Sequence, residues 1–272
     1  MAAGAEAPSL TIDDALEVLD KLGAERLERL ILVGGQAAAF WIARYGIADP
    51  RLVTTKDIDV LIFERQPRVA LECAGDLGGE LLTAREPRVP DVARVRFNLR
   101  GAELQIDFLR SLHGVSAAEV VSSKLGVVGE LASGKTLYVV HPVFSLASRL
   151  FNTFELPGRL TEQNLLGVRL SIDAVRAYLA DQPSVQETTS EDVLPSIERI
   201  FGLAVCRAGL TAWRSHAIDL FHAVPDKSDL SRCPRQFLEK RYPQMRRSLE
   251  TKRKTASKAR RSTRTSTRIK RR

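Results

Sequence analysis

Residues 31–63 read ILVGGQAAAFWIARYGIADPRLVTTKDIDVLIF, and this stretch decides the fold of the N-terminal half. A short apolar run precedes Gly34 and Gly35, an alanine-rich segment with helical spacing follows them, and DIDVLIF then alternates in polarity. Short apolar runs are typical of buried strands, a repeat of three to four residues indicates an amphipathic helix, and alternation indicates a half-buried strand. The stretch therefore predicts a strand, a glycine turn, a helix, a loop and a second strand.

Two carboxylates lie on the second predicted strand. Asp57 and Asp59 are two residues apart, which places their side chains on one face of a strand, about 7 Å apart along the chain. Neighbouring carboxylates repel each other unless a cation lies between them, and magnesium prefers hard oxygen ligands of this kind. The pair predicts a metal site, and the alternative is an ordinary solvated strand face.

The glycine pair lies where the predicted helix begins, just before Gln36. Free amide groups and the helix dipole make a helix N-terminus an anion site, and glycine lets the backbone approach a phosphate closely. Thr55 and Lys56, which precede the carboxylate pair, are further candidates for phosphate contact. The alternatives are a tight turn and a plain loop without a ligand.

Two further strand pairs follow in the N-terminal half. VARVRFNLR and AELQIDFLR, residues 92–110, alternate around Gly101 and predict a β-hairpin with a third carboxylate, Asp107, on its second strand. KLGVV and TLYVV predict another pair around residues 129–134. GELASGKT in this turn matches the phosphate-loop pattern, but that motif requires a helix after Thr136. LYVVHP follows instead, so we predict a hairpin turn.

The chain changes character after Pro142, where the apolar spacing becomes helical. We predict an α+β fold with a mixed-sheet domain over residues 1–141 and an all-helical domain over residues 142–250, interrupted by a polar linker at residues 182–190. Residues 251–272 contain eleven Lys or Arg and no acid, so the net charge of the remainder is 8 − 11 = −3. This composition predicts a disordered tail, which either attracts RNA, DNA or anionic surfaces or is a solubilising end.

Nothing in the sequence indicates a membrane or an oxidising compartment. No apolar run reaches the ~18 to 20 residues of a membrane helix, and the N-terminus MAAGAEAPSL lacks the basic start and apolar core of a secretory signal. The three cysteines, Cys73, Cys206 and Cys233, are odd in number and widely spaced, as is typical of reduced thiols. We therefore expect a cytoplasmic protein.

LVGGQAAAF, TTKDIDVLIF and LQIDFL together resemble the nucleotidyltransferase superfamily built like the catalytic domain of DNA polymerase β. The long gap between Gly35 and Asp57 is similar to that of the abortive-infection and type IV toxin–antitoxin nucleotidyltransferases. In those proteins a helix with a basic residue follows the sheet, and VVHPVFSLASRL offers Arg149 where Lys is usual. A later helix carries a basic residue and an acid, and GVRLSIDAV offers Arg169 and Asp173.

The resemblance implies a fold, a reaction and a set of site residues. It implies transfer of a nucleoside monophosphate from a nucleoside triphosphate, such as ATP, to an acceptor hydroxyl, with Mg²⁺ as the cofactor and two ions expected. The implied catalytic and metal-binding residues are Asp57, Asp59 and Asp107. The implied nucleotide-binding residues are Gly34, Gly35, Gln36, Thr55, Lys56 and Arg149.

The sequence leaves the acceptor and the nucleotide open. The acceptor is an RNA such as a tRNA 3′ end, a protein or a small molecule such as an antibiotic, and the basic tail mildly favours RNA. The resemblance also implies a cognate antitoxin as a protein partner. The alternative to an enzyme is a nucleotide-binding sensor or partner-binding module on the same fold with little catalysis.

Overall fold

The computed structural model describes residues 10–49, 52, 55–62, 68–83, 91–116, 119–120, 127–181, 190–226, 230 and 233–269. The chain forms two compact units, of which the first comprises Met1–Asn152 with Thr161–Ser171 and the second comprises Thr153–Leu160 with Ile172–Arg272. Most of the predicted linker, residues 182–189, lies outside the described residues.

The first unit contains a mixed β-sheet. In the described part of the chain it has seven strands in the order β3-β4-β5-β2-β1-β7-β6. β1 is parallel to β7 and β2 is parallel to β5, whereas the other neighbouring pairs are antiparallel. The predicted α+β class and mixed sheet are therefore confirmed. The strands are β1 Ile31–Leu32, β2 Ile58–Leu61, β3 Glu80–Thr83, β4 Asp91–Leu99, β5 Ala102–Leu109, β6 Val127–Glu130 and β7 Thr136–Val139.

Among the described residues, the helices that accompany the strands include α1 Ile12–Asp20, α2 Ala24–Leu27, α3 Gly34–Arg44 and α4 Arg68–Leu77. α1 begins with a capping box, because Thr11 and Asp14 bond reciprocally to each other's backbone N–H at 3.1 and 3.2 Å. α3 packs against β2, and α4 packs against β3 and β4. Trp41 of α3 is buried and its Nε1 donates to the Val140 carbonyl at 2.9 Å. This bond attaches α3, which begins at the glycine turn, to the residue that follows β7.

Both predicted hairpins are confirmed. β4 and β5 meet at Arg100 and Gly101, whose positive φ angles of 51° and 82° close a two-residue turn. β7 begins at Thr136 and pairs with β6, so a strand and not a helix follows the GKT sequence. Lys135 Nζ donates to the carbonyls of Asp20 at 2.5 Å and Leu22 at 3.0 Å. The phosphate-loop interpretation is therefore excluded.

The remainder is helical, as predicted. The helices are α5 Pro142–Glu155, α6 Glu162–Asp181, α7 Ser190–Val205, α8 Arg207–His216 and α9 Tyr242–Ile269, with a 3₁₀ turn at Leu220–Ala223 and a π-helical segment at Phe237–Arg241. Among the residues that the structure describes, no helix combines the length and the apolar character needed to cross a bilayer.

α9 extends from the helical half into the basic tail, and Arg253 shows how the first residues of the tail are attached. The disorder predicted for the tail as a whole stays a prediction. Arg253 forms an ion pair with Asp219, and both side chains are only 16% exposed. Its guanidinium also lies 5.0 Å from the centre of the Trp213 ring, at which distance a cation–π attraction operates. The composition of the tail does not identify an individual residue, such as Arg253, that contacts other helices.

Candidate active site

The sheet register brings the three predicted carboxylates together. β2 runs parallel to β5 with Asp59 directly opposite Asp107, and Asp57 immediately precedes β2. Carboxylate oxygens of the three residues all lie within 4.8 Å of one another. Asp57 and Asp59 are half-buried and Asp107 is buried. Residues separated by almost fifty positions in the chain thus form one cluster within the first unit.

This cluster fits a divalent cation. Three carboxylates at this spacing repel one another, and burial of Asp107 reduces the solvation that would otherwise screen that repulsion. All the donors are hard oxygen atoms, which suit Mg²⁺, Mn²⁺ or Ca²⁺ better than softer metals. The donor set and its spacing therefore allow the three residues to hold such an ion.

The start of α3 lies so close to the Asp59 carboxylate that position 34 has no room for a side chain. The φ of Gly34 is +65°, and a Cβ built at this position would lie 2.0 Å from Asp59 Oδ2. The Val33 N–H donates to the Asp59 carbonyl at 2.9 Å, which ties the turn to β2. Val33 gives the helix no side-chain cap, and the first amides of a helix have no partner within it. The start of α3 thus lies beside the carboxylate cluster, and anion binding there stays a prediction.

Gln36 and Thr55 support the segment that carries Asp57. Gln36 is 1% exposed, and its Nε2 donates to Thr55 Oγ1 at 2.8 Å and to the Leu10 carbonyl at 3.2 Å. Thr55 Oγ1 in turn donates to the Asp57 carbonyl at 2.6 Å. A Cβ on Gly35 would lie 2.1 Å from Thr55 Cγ2. The phosphate contacts expected of these residues stay a prediction. The structure shows that Gln36 and Thr55 form a chain of hydrogen bonds that ends at the Asp57 carbonyl. Lys56, beside them, is exposed.

Arg149 extends from α5 towards the glycine turn. A Cβ on Gly35 would lie 3.8 Å from its Nη2, and one on Gly167 of α6 would lie 2.2 Å from its Nη1. Burial lowers the pKa of Arg149 to about 10, and the neighbouring Asp59 carboxylate acts in the opposite direction. The guanidinium is therefore protonated at neutral pH, and its contact with a nucleotide stays a prediction. Gly167 is a supporting residue that the sequence did not indicate, since its contact depends on how α5 and α6 pack.

Arg169 and Asp173 lie further along α6, and both are exposed. Arg169 belongs to the first unit and Asp173 to the second. Neither is a member of the carboxylate cluster found among the described residues. Their participation in the site stays a prediction.

Two polar side chains that the sequence did not single out contact the third carboxylate. Arg94 Nε lies 3.0 Å from Asp107 Oδ1. Gln105 Nε2 lies 3.3 and 3.4 Å from the two oxygens of the same carboxylate. The sequence does contain the information that locates Arg94. A two-residue turn fixes the pairing of β4 with β5, and this pairing places Arg94 opposite Asp107.

Comparisons with known proteins find only distant likeness. No family model matches the chain, and no curated protein matches it. Among solved structures it is similar to the Megavirus polyadenylate synthase at 12% identity and a TM-score of 0.37, over 68% of this chain and 38% of that one. It is also similar to the antibiotic-resistance factor ANT(2'')-Ia at 15% identity and a TM-score of 0.38, over 60% of this chain and 85% of that one. This chain thus spans well under half the length of the viral protein.

Proposed function

We propose that this protein transfers a nucleoside monophosphate from a nucleoside triphosphate to an acceptor hydroxyl in a magnesium-dependent reaction. One observation carries the proposal: carboxylate oxygens of Asp57, Asp59 and Asp107 lie within 4.8 Å of one another, and Gly34 at the start of α3 lies directly against Asp59. A cation site beside an anion-binding helix start suits a substrate that carries both a metal and phosphates.

The three carboxylates would hold the magnesium, with two ions expected. When bound, the metal supplies positive charge that neutralises the phosphate oxygens and favours attack at phosphorus. The first amides of α3, the exposed Lys56 and the charged Arg149 would bind the triphosphate. Gln36 and Thr55 would keep Asp57 in place through the bonds to Thr55 Oγ1 and the Asp57 carbonyl.

The reaction requires one proton acceptor, and we assign this role to Asp107. Its carboxylate would take the proton from the acceptor hydroxyl while the hydroxyl oxygen bonds to the α-phosphorus, and pyrophosphate would leave. The bonds from Gln105 to both Asp107 oxygens would restrict the rotation of this carboxylate. The products are a nucleotidylated acceptor and pyrophosphate.

RNA is the acceptor that we favour, with a tRNA 3′ end as one possibility. The eleven basic residues of 251–272 and the absence of acids there support this choice, because such segments attract phosphate backbones without regard to sequence. Assignment to a toxin–antitoxin system, with a cognate antitoxin as partner, rests on the resemblance over the gap between Gly35 and Asp57. A cytoplasmic location is proposed on separate grounds, because the three widely spaced cysteines are typical of reduced thiols.

The test is transfer of label from each of four α-labelled nucleoside triphosphates, with Mg²⁺, to total RNA, to protein and to aminoglycosides. We expect RNA to retain the label and pyrophosphate to be released. Asp57→Asn should reduce transfer by about a thousandfold or more. Glu103→Gln, which changes an exposed acid on the same strand as Asp107, should leave it unchanged.

Two outcomes would contradict the proposal. Failure of all four nucleotides to label any of the three acceptor classes would exclude transfer under these conditions. Binding of nucleotide by calorimetry without pyrophosphate release would instead favour a sensor on the same fold. Label retained by an aminoglycoside or a protein, and not by RNA, would keep the reaction and correct the acceptor.

A further inference from the structure

A cation from the protein itself already contacts the carboxylate cluster. Arg94 Nε lies 3.0 Å from Asp107 Oδ1, and the Arg94 side chain is 46% exposed while that of Asp107 is only 8% exposed. The guanidinium therefore reaches the buried carboxylate from the solvent side of the hairpin. It contacts one of the two oxygens of a carboxylate that belongs to the cluster.

Strand pairing holds Arg94 in this position. β4 and β5 are antiparallel with Arg94 directly opposite Asp107, so the ion pair joins two residues whose backbones are fixed by the sheet. Neither residue lies on a loop, so a change of loop conformation would not separate them. Gln105, two residues before Asp107 on β5, bonds the same carboxylate, and the two side chains together restrict its orientation.

The charge of Arg94 opposes metal binding. Three carboxylates give the cluster a formal charge of −3. Two guanidiniums lie beside it, Arg94 at Asp107 and Arg149 at Asp59, and together they reduce the local charge to −1. Loss of Arg94 would change this charge to −2 and strengthen the attraction for a divalent cation. Arg94 and Gln105 both contact the Asp107 carboxylate. A carboxylate whose orientation is fixed in this way removes a proton from an acceptor hydroxyl more efficiently than one that rotates freely.

We infer that Arg94 is a positioning residue that orients Asp107 for proton transfer. Through its positive charge, it also lowers the affinity of the carboxylate cluster for a divalent metal ion. This inference rests on the proposed function. It predicts two effects of opposite sign from one substitution: loss of the guanidinium tightens metal binding and slows transfer. A general loss of structure would weaken both.

The chain provides a matched control. Arg96 lies two residues further along β4, has a nearly equal exposure of 44%, and pairs across the same hairpin with Glu103 at 3.3 Å. Its partner does not belong to the metal cluster. Arg96→Gln therefore removes an equivalent cation and ion pair from the same strand without touching Asp107.

The experiment measures Mn²⁺ binding by the loss of the free Mn²⁺ signal in electron paramagnetic resonance, at constant ionic strength and in the absence of nucleotide. Arg94→Gln should lower the Kd for Mn²⁺ by about tenfold and lower kcat by about tenfold or more. Arg94→Lys, which keeps the charge, should bind Mn²⁺ like the unsubstituted protein and recover part of kcat. Arg96→Gln should change neither quantity.

The possible failures are distinguishable. If the unsubstituted protein binds Mn²⁺ and Arg94→Gln binds it with equal or lower affinity, the role of Arg94 is overturned while the proposed function stands. If Arg94→Lys tightens Mn²⁺ binding as much as Arg94→Gln, charge is not the cause and the inference is likewise overturned. Absence of Mn²⁺ binding by the unsubstituted protein would overturn this inference, since there would be no affinity for Arg94 to lower. The proposed function is judged separately by label transfer, because a nucleoside triphosphate brings its own metal ion to such a site.

Discussion

At the scale of single residues, the position of Asp59 depends on a glycine. Gly34→Ala would place a Cβ 2.0 Å from Asp59 Oδ2 at a backbone φ of +65°. The left-handed backbone alone destabilises the fold by about 1 kcal/mol. The displaced carboxylate should reduce transfer by about a hundredfold, because misplacement by about 1 Å has effects of this size. Urea denaturation and the label-transfer assay measure the two effects.

Gly46 is the control for this substitution. Its φ is +58° and nothing lies within 4 Å of a Cβ built there. Gly46→Ala should therefore lower the free energy of unfolding by about the same 1 kcal/mol and leave transfer intact. Equal rates of label transfer by Gly34→Ala and Gly46→Ala would show that the position of the Asp59 carboxylate does not depend on glycine at position 34.

A buried histidine should make stability depend on pH. Burial lowers the pKa of His141 to about 3, below the unfolded value of about 6.5. As the pH falls from 6.5 towards 3, the unfolded chain binds a proton that the folded chain does not, so the free energy of unfolding falls by up to about 1.4 kcal/mol per pH unit. His141 Nδ1 accepts the Val143 N–H at 3.2 Å at the start of α5.

Asparagine is a good helix cap that does not titrate in this range. His141→Asn should therefore flatten the decline of stability between pH 6.5 and 4.5, as measured by urea denaturation at several pH values. His113→Asn, which changes an exposed histidine, is the control and should keep the decline. Identical slopes for His141→Asn and the unsubstituted protein would assign the pH dependence to other groups.

The sequence identified the acidic residues of the site more readily than their neighbours. Alternation predicts a strand that carries Asp57 and Asp59 and a hairpin that carries Asp107, and the resemblance to the nucleotidyltransferases groups the three in one site. Arg94 was also within reach, since the two-residue turn fixes its place opposite Asp107. Gly167 was not, because its contact with Arg149 arises between helices whose packing no local pattern encodes.

At the scale of secondary-structure elements, the β6–β7 hairpin contains the sequence that mimics a phosphate loop. Lys135 Nζ bonds the carbonyls of Asp20 and Leu22 and so joins the hairpin to the end of α1. Lys135→Ala should lower the free energy of unfolding by about 1 to 2 kcal/mol and leave nucleotide affinity unchanged. Chemical denaturation and nucleotide titration measure these effects. A large loss of nucleotide affinity with little loss of stability would restore the phosphate-loop interpretation.

The elements themselves could be predicted better than their arrangement. Turn residues and alternation located both hairpins, and Gly34 marked the start of α3. The order of the sheet could not be predicted, because β1 has only two residues and pairs with β7 across more than a hundred positions. Such pairings depend on how α3 and the hairpins pack together, which a local pattern does not encode.

At the scale of the whole molecule, the basic C-terminal segment serves the fold as well as carrying charge. Arg253 pairs with Asp219 and lies over Trp213, so the start of the segment is attached to the other helices of the second unit. Truncation after Glu250 removes this arginine and should lower the free energy of unfolding by about 2 to 3 kcal/mol. Truncation after Ser257 keeps it and should change stability by less than about 0.5 kcal/mol.

Urea denaturation of the two truncated proteins, with Arg253→Ala in the full chain for comparison, measures this difference. Arg253→Ala should reproduce most of the loss caused by truncation after Glu250. Equal stability of both truncated proteins and the full chain would mean that residues 251–257 contribute nothing to the folded unit.

The central claim is that the cluster of Asp57, Asp59 and Asp107 supports attack at the α-phosphorus of a nucleoside triphosphate. The most direct measurement follows two labels in parallel reactions with Mg²⁺ and RNA, one at the α-phosphate and one at the γ-phosphate. We predict that the α-label stays on the RNA, that the γ-label leaves as pyrophosphate, and that Asp57→Asn abolishes both while Glu103→Gln retains both. Transfer of the γ-label to the acceptor, or undiminished transfer of the α-label by Asp57→Asn, would contradict the claim.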